Sequence, residues 1–347
     1  MVKKITVNDL SIQRYIEDIA AALEEEVLIE NNTYRIQIPE KYGSGYIVGT
    51  HFDNGVGVID HDFLLKKELV IYVENSTFHK LKLVFNREET FYHKFTEDNE
   101  FAEIRHLENV MISSKPDNTH VFRLPRGNPV CYFQIDINRR EFENKVNSFL
   151  DDMNGTLRNL LRDVNGVNIF RHQAYYSLEI AKLITEFTEC ELDSFMKAVY
   201  QEGKTFEIIS QQFKQFIDDH KNPDRRKILR QVTIKSIEDA VEIIQDEIGS
   251  MESIPSLAKR VGLNQNTLQN GFKHLYKTSV NEYIRNYRIE KAKDLLENSA
   301  LNITEITYKI GINSRSYFSK LFKEKYGISP KRYLEQNRGK PDTDKSA

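Results

Sequence analysis

The chain has only two cysteines, Cys131 and Cys190, in 347 residues. That excludes a disulfide framework and a cysteine-based zinc site. Cys131 sits beside an aromatic residue and Cys190 near the apolar stripe of a helix, and both read as buried free thiols. No stretch approaches the roughly 18 consecutive apolar residues needed to span a bilayer, so no membrane partner is expected. The first ten residues, MVKKITVNDL, lack an apolar signal core, and a cytoplasmic protein is expected. Metal-ligand spacing is missing as well. His51, His61, His79, His93, His106 and His120 are scattered, with no two one residue apart. They read as core or surface histidines, with a metal or ferric-ligand site as the alternative. No metal and no cofactor is expected. No Ser/His/Asp or paired-carboxylate constellation stands out, which argues against an enzyme. GSGYIVG, 43–49, has the glycines of a phosphate loop but no following helix or Lys, so it reads as a strand entry.

Charge is present but unevenly spread. The net charge is −3, yet residues 253–334 hold fifteen Lys or Arg against six Asp or Glu. Residues 1–252 hold thirty-one against forty-three. A basic C-terminal block on an acidic body suggests a polyanion-binding unit. Chance clustering of solvated charge is the alternative.

The basic block contains a repeat. IPSLAKRVGLNQNTLQNGFKHLYKTSVNEYI (254–284) aligns with ITEITYKIGINSRSYFSKLFKEKYGISPKRYL (303–334). Leu257 matches Ile306, Gly262 matches Gly311 and, after one inserted residue, Phe272 matches Phe322 and Tyr283 matches Tyr333. Such a duplication marks a repeated structural unit. Each copy reads as a helix, a Gly-containing turn and a second helix. Ser253 and Asn264 are placed to cap the helices of the first copy. Gly262 offers the positive φ of a helix stop. Ser329-Pro330 opens a further helix. Between the copies, residues 280–299 read as one unbroken helix about 28 Å long.

With Leu268 and Phe272 facing inward, Asn266, Gln269, Asn270 and Lys273 face outward. The matching set in the second copy is Arg315, Ser316, Ser319, Lys320 and Lys323. Asn and Gln pair with adenine edges, and Arg and Lys reach guanine or phosphate. A rigid helix of that length suits two recognition helices in adjacent major grooves, which lie about 34 Å apart.

Residues 236–336 resemble the DNA-binding domain of the AraC/XylS family of bacterial transcription regulators. The resemblance rests on RIEKAKDLL and ITEITYKIGINSRSYFSKLFKEKYGISPKRY. LNQNTLQNGFKHLYKTSVNEYIRNYRIEKA looks most like the branch around the pyochelin (ferric siderophore) regulator. Gln269 stands where that branch has Lys, so a different operator preference is expected. Asn270 stands where the wider family has a basic residue. The resemblance implies a seven-helix domain, double-stranded DNA and RNA polymerase as partners, and action as an activator.

Upstream, YRIQI, GYIVGTHF, GVGVIDHDF, LVIYVENS, LKLVFN, ETFYHKF, NVMISS, THVFRL and VCYFQIDI read as short strands separated by turns. Residues 140–220 turn helical, with Phe206, Ile209, Phe213, Phe216 and Ile217 at helical spacing. The fold expected is α+β: an N-terminal cupin-like β-barrel or sandwich with flanking helices, then an all-α domain with two helix-turn-helix units. The boundaries expected are a sensor or dimerisation domain at 1–220 (β-rich at 34–137), a linker at 221–235, the DNA-binding domain at 236–336 and a disordered tail at 337–347. The helices of 140–220 suit a homodimer interface or packing onto the barrel. The function expected is a sequence-specific regulator controlled by a small-molecule effector such as a ferric siderophore. The alternatives are a ligand-independent regulator and a DNA-targeted enzyme. For a repair methyltransferase, Cys131 lacks a basic neighbour in sequence.

Overall fold

The computed structural model describes residues 2–338 except 54, 75–79, 116–117, 222 and 252, and only the backbone of 223–231, 274, 337 and 338. The expected tail lies outside the described residues from 339 on, and so does His79. Two compact units divide the chain at residue 230.

The N-terminal unit opens with β1 (Lys3–Asn8), α1 (Ile12–Leu23), β2 (Leu28–Glu30), β3 (Thr33–Gln37), β4 (Gly43–Phe52) and β5 (Val56–Leu65). It continues with β6 (Leu69–Glu74), β7 (Leu81–Asn86), β8 (Phe91–Phe95), β9 (Ala102–Ile104), β10 (Glu108–Ser113), β11 (His120–Leu124) and β12 (Pro129–Ile137). Helices α2 (Arg139–Val146) and α3 (Gly155–Arg162) precede β13 (Phe170–Tyr175), α4 (Leu178–Thr188) and α5 (Ser194–Lys221). The strands form a five-stranded sheet, β1-β6-β11-β8-β9, and an eight-stranded sheet, β13-β10-β7-β12-β5-β4-β3-β2. The β1–β6 pair is parallel, and the other pairs are antiparallel.

Every strand expected from the β-branched and aromatic runs is present, and GSGYIVG forms the start of β4. Period-two alternation puts Ile47, Ile59, Phe63 and Tyr132 of the larger sheet in one core with Ile71, Phe91 and Phe122 of the smaller. Helix α1 seals this core through Tyr15, Ile16 and Ile19. A Cβ at Gly49 would come within 2.6 Å of Ile12, so the helix approaches β4 as closely as a glycine permits. Five elements lay outside the expected pattern: β1, α1, β2, β9 and β13. The last interrupts the region expected to be helical and lines the edge of the larger sheet against β10.

The core also holds polar groups. Lys82 Nζ lies 2.7 Å from Asp9 and 2.9 Å from Asp136, with Lys80 3.0 Å from Asp9. Burial raises the Asp9 pKa, but Lys80 and Lys82 outweigh it and hold the carboxyl at about 2. Two histidines far apart in sequence meet across strands: His93 Nε2 is 3.2 Å from His120 Nδ1. His61 stacks on Tyr132 with ring centroids 3.9 Å apart. Phe91 packs on the same Tyr132 at 4.7 Å, so aromatic rings fill this part of the interior.

Helix α6 (Pro223–Asp246) begins before the boundary at residue 230 and runs into the C-terminal unit, which continues with α7 (Ile254–Arg260), α8 (Gln265–Leu275), α9 (Val280–Asn298), α10 (Ile303–Lys309), α11 (Arg315–Tyr326) and α12 (Pro330–Arg338). The residues expected as a linker, 221–235, are therefore helical from Pro223 on, where a first-turn proline loses no hydrogen bond. The seven helices and the unbroken 19-residue α9 agree with the expectation for this domain.

Candidate nucleic-acid interface

The duplication seen in sequence is a duplication of backbone. Gly262 and Gly311 take φ of 71° and 72° in the two turns. These left-handed values reverse the chain after α7 and α10. Asn264 and Ser314 cap α8 and α11, accepting from the amides of Thr267 and Tyr317. Ser253 and Ser279 cap α7 and α9 in the same way. Ser329 accepts from Arg332 N at the start of α12.

The packing repeats too. Phe272, Tyr276 and Tyr283 form a ring cluster with all three centroid separations at 5.3 Å. Phe322, Tyr326 and Tyr333 form its counterpart at 4.8–6.2 Å. In each, the third ring comes from the following helix and fixes the second helix of its unit. Gly271 lets α8 press on α6, because a Cβ there would sit 2.1 Å from Ile237 Cδ1. Helix α9 serves both copies: Tyr283 joins the first cluster, while Ile289, Ala292 and Leu296 enter the core of the second. A straight α-helix of 19 residues spans about 28 Å.

The outward residues can now be placed. Asn266, Asn270 and Lys273 are exposed along one side of α8. Gln269 is half-buried, and its Oε1 accepts from Val280 N at 3.4 Å, at the start of α9. Its Nε2 group and the second lone pair of Oε1 remain for an outside partner. On α11, Arg315, Ser316, Lys320 and Lys323 are exposed and Ser319 is half-buried. Lys320 is 4.0 Å from Glu324, an exposed pair one turn away. The helices start 50 residues apart, so Gln269 corresponds to Ser319 and Asn270 to Lys320. Gln269 and Lys320 are therefore not equivalent positions.

Sequence periodicity did not mark a cleft of about 430 Å³ between the first half of α9 and α11, lined by Arg285, Arg288 and Tyr317. Arg288 Nη2 approaches Ile248 O at 3.4 Å. Arg285 pairs with Glu282 at 3.0 Å. The signal available was RNYR: two arginines three apart on the connecting helix.

Cys131 is the one thiol the sequence offered to a catalytic reading. It is buried on β12, whereas Cys190 is half-buried after α4. The structure does supply the basic neighbour missing in sequence, because the Arg87 guanidinium lies close enough to favour the thiolate of Cys131. Burial nevertheless dominates the nearby guanidinium and pushes the thiol up to about 12. It is therefore protonated and poorly nucleophilic at neutral pH. Among the described residues, no group of His, Cys, Asp and Glu is arranged to hold a metal ion. No described helix is long and apolar enough to cross a membrane.

Comparison with known proteins accounts for most of the chain. Residues 50–228 match the family model of the regulatory protein PchR N-terminal domain. Residues 257–336 match a helix-turn-helix domain family. Histidine kinase P4 of Formosa agariphila is 32% identical over 31% of this chain and 8% of its own length. The Msm operon regulatory protein of Streptococcus mutans is 33% identical over 27% of this chain and 34% of its own. The chain thus spans about a third or less of these relatives. The DNA-binding domain of the transcriptional factor AdpA, solved with target DNA, is 22% identical with a TM-score of 0.29, covering 29% of this chain and 92% of that one. With a PchR-type domain over 50–228 and a helix-turn-helix domain over 257–336, the chain belongs to the AraC family of transcription regulators related to PchR.

Proposed function

We propose that this regulator binds double-stranded DNA sequence-specifically, with α8 and α11 in adjacent major grooves. The observation that carries this is the pair of equivalent exposed faces, Asn266/Asn270/Lys273 and Ser316/Lys320/Lys323, on duplicated helices joined through one 19-residue helix. Exposed side chains on the N-terminal halves of such helices reach base edges. Asn270 and Lys320 are the strongest base readers, with Arg315 beside Lys320. Gln269 is a weaker base reader than Asn270, because it is half-buried and its carbonyl is partly engaged within the protein. Ser319 is too short and too recessed to do more than support Lys320.

Binding-site selection with Asn270→Ala and Lys320→Ala tests this reading. Each should lose ~1–3 kcal/mol at one or two base pairs, with the two affected positions about ten base pairs apart. If both variants disturb the same base pairs, or neither changes preference, the two-groove arrangement is wrong.

Control by a small-molecule effector such as a ferric siderophore, and activation through RNA polymerase, extend the reading. The PchR-type domain supports the first. Calorimetry with ferric chelates, and transcription in vitro with and without them, test both. A ligand-independent regulator is the second reading, favoured by the rings of His61, Phe91 and Tyr132 packed between the two sheets. Phe195, Met196 and Val199, exposed along one side of α5, suit a homodimer, which sedimentation would reveal.

A further inference from the structure

The N-terminal unit has an open apolar groove on the outside of its sheets, between α2–α3 and α5. Its volume is about 620 Å³, within the range typical of small-molecule sites. The sequence spacing of Phe206, Ile209 and Phe213 on α5 finds its use here, since these side chains form one wall. Phe142 of α2 lies nearly parallel to Phe206, with centroids 6.5 Å apart and planes 15° apart. Phe149 stands at the mouth, 62% exposed.

Three of the four charged side chains lining this groove are lysines. Lys145, Lys214 and Lys221 line it, and among the described residues none of the three is in an ion pair. Lys145 Nζ sits 4.3 Å from the Phe206 ring centroid, so a cation lies directly above an aromatic wall. The one carboxylate in the lining, Asp218, is engaged with another group. Flat apolar walls under unpaired ammonium groups suit a ligand with a planar body and a negative edge.

We infer that this groove binds a flat, amphipathic organic anion: an aromatic or conjugated body carrying a carboxylate, sulfonate or phenolate. The ring lies against Phe142, Phe206 and Phe213, and the anionic group meets Lys145 and Lys214. The location is among helices, in contrast to an effector held between the two sheets. As the effector site, it rests on the reading of the N-terminal unit as a receiver of small-molecule signals. Helix α5 forms one wall and is followed in the chain by α6, the first helix of the C-terminal unit's core. A ligand that changes the spacing of α5 from α2–α3 thus acts on the segment leading to the DNA-binding unit.

The test uses the full chain and 8-anilinonaphthalene-1-sulfonate as a fluorescent probe, displaced by 2-naphthoate or by neutral 2-naphthylmethanol. Expected are one probe per chain and displacement by naphthoate about tenfold better than by the alcohol. Lys145→Gln with Lys214→Gln should remove that advantage and leave the alcohol unchanged. Ser210→Trp, an exposed lining position, should fill the groove and abolish binding of all three. Equal competition by acid and alcohol overturns the proposal, as does probe binding indifferent to Ser210→Trp. One probe per two chains, with protomers associated, overturns it in favour of a dimer contact. DNA binding is measured separately: naphthoate that binds the groove without changing DNA affinity supports the site and sinks only the effector reading.

Discussion

Asp9, Lys80, Lys82 and Asp136 lie buried together inside the N-terminal unit, and His61 and His93 are buried near them. Around Phe272 and Phe322 the C-terminal unit buries rings and aliphatic side chains. Its deeply buried Thr307 is satisfied locally, donating to Ile303 O at 2.6 Å. The C-terminal unit keeps its charges on the surface, where a polyanion can meet them. The N-terminal unit keeps a few of its charges inside, where Asp9, Lys80, Lys82 and Asp136 meet one another. The first arrangement tolerates surface change and depends on steric fit. The second depends on pairing, because a buried ion without its partner is costly.

The largest expected effect follows from that dependence. Lys82→Ala leaves Asp9 and Asp136 under-neutralised in the core and should cost about 3–5 kcal/mol. Urea unfolding of the full chain should show the loss in the transition of the N-terminal unit and leave that of the C-terminal unit in place. An equal shift in both units would erase the contrast.

Acid is the next probe. Burial lowers the His61 pKa to about 3, and the His93 value falls well below the ordinary range. Each takes up a proton only on unfolding, so stability falls as pH drops below about 6.5 and continues to fall toward pH 3 for His61. The loss is about 1.4 kcal/mol per pH unit for each histidine. Asp9, depressed to about 2, adds stability above about pH 4 that is lost as pH falls toward 2. Melting of the full chain between pH 7 and 5 should therefore move far more than that of fragment 231–347. His61→Phe should flatten the profile.

Steric fit is the matching test on the other side. Gly271→Val drives a branched side chain into Ile237 and should destabilise the C-terminal unit by about 1–3 kcal/mol. Adding Ile237→Ala should recover part of it. The smallest effect sits at the end of α8, where Lys277 adopts φ 54° and the equivalent Gly327 adopts 80°. Lys277→Gly should stabilise the unit by up to about 1 kcal/mol. It should also flatten the salt dependence of DNA binding by about one unit if Lys277 meets a phosphate.

The same contrast explains what could be read in advance. Helices α7 to α12 announce themselves because apolar residues at helical spacing, caps and turn glycines agree, and the second copy repeats the first. The central strands were equally open to reading from their β-branched runs. Strand β1, KKITVN, has little to mark it, and its parallel partner β6 begins more than sixty residues later. Helix α1 did carry a signal, Ile12, Tyr15, Ile16, Ile19 and Leu23, that the opening lysines obscured. In LKLVFN nothing local says that Lys82 points inward, since its reason is Asp9 and Asp136. The meeting of His93 with His120 depends in the same way on strand pairing. At the candidate interface, wheel position separates Asn270 from Phe272. It does not show that Gln269 is held by an amide eleven residues on.

The buried charges also set an order in time. Asp9 leaves the ribosome early, with its helix α1 close behind. Its two lysines follow some seventy residues later, and Asp136 only at the end of β12. Until then the nascent segment carries an acid whose buried place does not yet exist. Strand β1 likewise waits for β6 before it has any hydrogen-bonded neighbour. Such distant pairings close slowly, because loop entropy is spent before the contacts return it. The N-terminal unit is thus expected to assemble in one late step, once β12 has emerged, and a chain stalled before residue 136 should remain open to proteases.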